Sequence, residues 1–193
     1  MSTISEEERK VRAKQIVSDH EGIYPMYGAF YVQAILYAAG RASAAFTRFE
    51  TALRADAPPA EIVASVHEAL GHTAALSRFF FPTDKRPLAR ARAANLRKQF
   101  AVGNASPLID RELRNALEHF DERLDEYLLR DIVGYIFPGP ITDDAELADE
   151  PGGHIFRLVD PEKEIFVLLG QKHNFGTVRL EVQRVAELAG RIA

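Results

Sequence analysis

The segment "ADAPPAE", residues 55–61, is the feature that most limits what this chain can fold into. Pro58 and Pro59 cannot continue a helix, so they end whatever precedes them. On either side lie long runs with apolar residues at helical spacing. Phe30, Ala34, Tyr37 and Ala38 mark one helix from about Tyr27 to Leu53. Ile62, Val66, Ala69, Leu70 and Leu76 mark a second, which runs to about Phe80 and is stopped by Pro82. Two long helices joined by so short a break are antiparallel neighbours, which points to an up-down helical bundle.

The same reasoning extends in both directions. Ser5 with Glu8 forms a capping-box pattern that opens a charged helix ending near "DHEG". A basic helix is expected from Pro87 to Val102, stopped by Gly103 and Asn104. Ser106 and Pro107 suit the start of a fourth long helix reaching Leu129. Beyond it the pattern changes to β-branched and aromatic runs, "DIVGYIF", "HIFRLVD" and "EIFVLLG", read as strands. "DPEK" puts Pro161 at the second position of a turn, so the last two runs should form an antiparallel hairpin or meander. The acidic Pro/Gly segment 138–153 is expected to be a mobile loop. A final helix, Thr177 to Ile192, repeats Val178, Val182, Val185 and Leu188.

The expected fold is therefore mainly α, a single domain over 1–193. A helical bundle at 1–130 would carry a hairpin and final helix at 131–193 as an appendage. At 193 residues and 47% hydrophobic, the chain can bury one good core. The charged N-terminus lacks a secretory pattern, and the apolar run 23–40 contains Pro25 and Gln33, so it reads as a buried core helix rather than a membrane span. The absence of cysteine excludes disulfides, thiolate metal sites and cysteine nucleophiles, and fits a cytoplasmic setting.

Net charge is −4, which gives no general attraction for nucleic acid. Residues 85–98 nevertheless carry six basic groups and no acid, and Arg86, Arg90 and Arg97 share one helix face that could hold phosphates. The favoured account is that this face neutralises the acidic fourth helix beside it, because antiparallel neighbours bring the two faces close together.

That fourth helix carries the candidate chemistry. Leu113, Ala116, Leu117, Phe120, Leu124 and Leu128 form its core face. Asn115, His119, Arg123 and Glu126 lie on one polar flank, and Arg114, Glu118, Asp121 and Asp125 on the other. "RNALEH", residues 114–119, has the order Arg-Asn-three residues-His. In this and in its place on the fourth helix, the chain resembles the HEPN superfamily (higher eukaryotes and prokaryotes nucleotide-binding domains) over about residues 23–130.

The resemblance implies an up-down bundle and, in nucleolytic members, metal-independent RNA cleavage by two facing copies of the motif. His119 would then move the proton, Arg114 would stabilise the phosphate, and Asn115 would orient the imidazole. A homodimer is expected, because Arg114 and His119 diverge by about 140° on a straight helix. A toxin-type effector of this kind would also meet a neutralising protein partner. No cofactor and no metal is expected.

Two bland readings stand beside this. In the first, Arg114 pairs with Glu118 one turn on; in the second, the same fold serves as a non-enzymatic binding or interaction module. "HEALGH" sets His67 and His72 five residues apart, not the four that a shared metal needs, although Glu68 and His72 have that spacing. His20, His154 and His173 show no ligand spacing.

Overall fold

The computed structural model describes residues 4–110, 112–130 and 134–193, without the side chain of Glu118. It is mainly helical, with a small four-stranded mixed sheet before the last helix. Helix α1 spans Glu6–His20, and Ser5 caps it by accepting from the Glu8 amide at 3.1 Å, as the sequence predicts. It buries no side chain of its own and rests on α4 (Pro87–Gln99). Gly22 makes that approach possible: its φ is +87°, and a Cβ there would fall 2.3 Å from the Arg92 nitrogen.

The centre of the fold is the hairpin of α2 (Gly28–Arg54) and α3 (Pro59–Phe80). Its core face on α2 is Val32, Ile35, Ala39, Ala42, Phe46 and Phe49. The face expected from the sequence is therefore rotated: Phe30 and Tyr37 point to solvent. Helix α4 ends at Phe100, and Ala101, at φ +50°, supplies the left-handed stop expected of Gly103. Among the described residues its main packing partners are α1 and α3. The basic ridge thus does not lie along the acidic helix as expected.

The fourth long helix is subdivided. Ser106 caps a single 3-10 turn at Pro107–Ile109, and the Asp110 carboxylate accepts from Glu112 N at 2.8 Å to open α5 (Glu112–Glu118). After His119 the chain continues as α6 (Phe120–Arg130). Leu113 and Ala116 are buried, and Leu117, Phe120 and Leu124 pack at the core's edge, whereas Leu128 is exposed.

The sheet contains β1 (Tyr135–Thr142), β2 (Gly153–Asp160), β3 (Ile165–Leu168) and β4 (Gln171–Asn174), in that order across the sheet. The β2–β3 hairpin expected at Pro161 is present, with Leu158 opposite Val167. Strand β1 instead runs parallel to β2, so the sheet is not a simple meander. Strand β4 was not foreseen. Leu169 and Gly170, both at positive φ, form the two-residue turn that creates it.

The expectation of an irregular loop over 138–153 is also corrected. Residues up to Thr142 belong to β1, and a 3-10 helix at Ala145–Asp149 buries Ala145 completely. Nor is the C-terminal region an appendage. Helix α7 (Gly176–Ile192) packs along α2, and Val178, Val182 and Val185 join one core with Phe46, Phe49, Phe166 and Phe175. Among the described residues, no helix is long and apolar enough to cross a membrane.

Candidate functional site

Helix α5 places Arg114 on its inner side, beside Leu113 and Ala116. Only 2% of Arg114 is exposed. Its Nη1 donates to the Phe81 carbonyl at 3.2 Å, just past the end of α3. That carbonyl lies where a helix presents unsatisfied oxygens and partial negative charge, so a guanidinium there stabilises the end of α3. The sequence expectation of a solvated Arg114 is corrected by this contact across 33 positions. The expected pairing with Glu118 lies outside the described residues.

His119 occupies the turn between α5 and α6, and its side chain is 59% exposed. Its amide donates to the Asn115 carbonyl at 3.0 Å, and its carbonyl accepts from Arg123 N at 3.1 Å. Its Nδ1 is 3.7 Å from the Glu122 carboxylate. Asn115 is half-buried, and no hydrogen bond joins its side chain to His119 among the described residues. The fold therefore does not bring the three motif residues together: Arg114 serves the core, and His119 faces water.

What the sequence missed is a groove of about 200 Å³ between α6 and the β3–β4 turn. Arg123, Glu126, Tyr127 and Arg130 line its helical wall, and Gly170 and Gln171 the other. Arg123 Nη1 donates to Gln171 Oε1 at 3.4 Å. The Tyr127 hydroxyl accepts from Ile155 N at 2.8 Å and donates to the Gly153 carbonyl at 3.4 Å, locking α6 to β2. Arg123 and Glu126 share the flank of His119 in the sequence, but the second wall was invisible without β4.

The basic ridge is divided in its commitments. Arg86 chelates Asp84 through contacts of 2.6–3.0 Å, and the guanidinium pulls that carboxyl down to about 2. Arg97 is half-buried, donates to Asn104 Oδ1 at 2.8 Å and lies over the Phe81 ring. Arg90 is exposed, and no ion pair engages it among the described residues. Of the three, Arg90 alone offers an uncommitted cation to a phosphate.

The remaining histidines are separated by the fold. His67 packs on Phe166, and burial, with Arg157 nearby, pushes its pKa down. His72 faces Tyr37 and stands 3.9 Å from Glu68. His154 and His173 are buried against Tyr127 and beside Phe166, respectively. Among the described residues, no three His, Asp or Glu side chains are gathered so as to hold a metal. Comparison with known proteins found no matching family model, curated protein or solved structure.

Proposed function

We propose that this chain is a binding module, an HEPN-like up-down bundle that performs no RNA cleavage of its own. The burial of Arg114 carries this reading. Cleaving a phosphodiester without metal requires a cation at the developing negative charge, and this arginine is engaged with the Phe81 carbonyl. The surroundings of His119 add to the case. Asp121, Glu122, Asp125 and Glu126 follow within two turns, and they repel a phosphate backbone.

One observation favours a second reading, that of a dimeric, cytoplasmic endoribonuclease or toxin-type effector with a neutralising partner. His119 is exposed, and Arg123, one turn on, could supply a cation in place of Arg114. Incubating purified protein with mixed RNA, with and without a chelator, separates the two. The binding-module reading expects intact RNA in both. Chelator-resistant cleavage that His119→Ala abolishes would establish the enzyme instead.

A further inference from the structure

The outer face of α2 begins an apolar surface that the chain does not cover. Tyr24, Met26, Tyr27, Phe30 and Tyr37 are between 38% and 76% exposed. The rings of Tyr24, Tyr27 and Phe30 touch in sequence at the helix start, with centroids 5.4 Å apart for Tyr24–Tyr27 and 6.2 Å for Tyr27–Phe30, and Tyr37 stands two turns further along, edge-on to His72. Single exposed apolar side chains need no explanation, but a cluster of three exposed rings with a fourth on the same helix face does.

Three observations identify its occupant. First, residues 22–40 contain no charged side chain. The nearest cations on this face, Arg41 and Arg48, both contact Glu68, at 3.4 and 2.6 Å. A neutral strip offers little to a polyanion and nothing that repels an identical copy.

Second, the strip is self-complementary. Phe30 and Tyr37 are seven residues apart, on one face and about 10 Å along the axis. A two-fold axis between Gln33 and Ala34 would set Phe30 of each copy against Tyr37 of the other. Gln33, exposed beside that axis, carries both donor and acceptor and can pair with itself. Third, the area suffices. At roughly 150–250 Å² per fully buried aromatic ring, the exposed parts amount to about 600 Å² per copy. A symmetric pair would thus bury about 1,200 Å², the lower end of stable specific interfaces.

We propose that a second copy of this chain docks antiparallel on the outer face of α2, with Phe30 of one copy packed on Tyr37 of the other. The proposal rests on the reading of the chain as a binding module and names one partner for it. A monomer would sink the interface alone, whereas RNA cleavage would sink that reading alone.

Light scattering at micromolar concentration should give twice the 21.5 kDa chain mass. Phe30→Glu should weaken dimerisation at least tenfold while leaving the circular dichroism spectrum unchanged, since the side chain is outside the core. The chain has no cysteine, so Gln33→Cys introduces a single thiol at the proposed axis. Mild oxidation should link that variant into covalent dimers and leave Arg90→Cys, on α4, unlinked. A monomeric wild type overturns the proposal, as does a dimer that survives Phe30→Glu. Capture of a uridine oligonucleotide or of phosphatidylcholine vesicles by a monomer through Phe30 would assign the face to another occupant and overturn it too.

Discussion

Two histidines illustrate how residue-scale burial becomes a property of the whole chain. His67 is held neutral by burial against Phe166, helped by the positive charge of Arg157. His173 is held neutral by burial, opposed by Asp110 and Glu112 and reinforced by Arg123. Both pKa values therefore lie below the ordinary 6.5 of an unfolded histidine. Just below that pH the unfolded chain binds protons that the folded chain does not, so stability falls on acidification until the lowered native values are reached. Urea midpoints should drop between pH 7.5 and 5.5, and by less in a His67→Gln, His173→Gln double variant. A midpoint that rises over that range would contradict this account. Arg114 shows the limit of reading such residues from sequence. Its charge assigns it to a solvated flank, and only the distant Phe81 carbonyl explains why it turns inward.

Elements were legible where a local signal specified them. The Ser5 cap, the Pro58–Pro59 break and the Pro161 turn each act within a few residues, and each appears where expected. The core face of α2 was not legible, because this helix is apolar nearly all round at its start and only its packing on α3 and α7 selects the buried side. Strand β4 was missed because Leu169–Gly170 is an unusual turn pair. The acidic segment misled for a related reason, since its anchor lies beyond it in sequence. Asp160, 3% exposed, accepts from Ala145 N at 3.0 Å, Glu162 N at 3.1 Å and Lys163 N at 2.9 Å. Lys163 and Lys172 hold Asp144 and Asp149 at 2.7 and 2.5 Å. Asp160→Ala leaves three donors without their acceptor and should cost on the order of 3 kcal/mol in urea unfolding. Amide exchange at Ala145 should accelerate in the same variant; unchanged exchange there would mean the segment is anchored elsewhere.

On the scale of the molecule, one core runs from α2 and α3 through the inner face of the sheet to α7. That continuity explains why the arginine of "RNALEH" is sealed in. Helix α5 packs on α3, and its inner side closes the end of that helix instead of lining a cleft. This placement can be read directly. Arginines reached by solvent react with a dicarbonyl reagent such as phenylglyoxal, and peptide mass mapping reports each site. In the folded protein Arg90 should be modified and Arg114 spared, with Arg114 becoming reactive only in urea. Modification of Arg114 as fast as Arg90 under native conditions would contradict the account and return this arginine to the surface, where it could meet a phosphate.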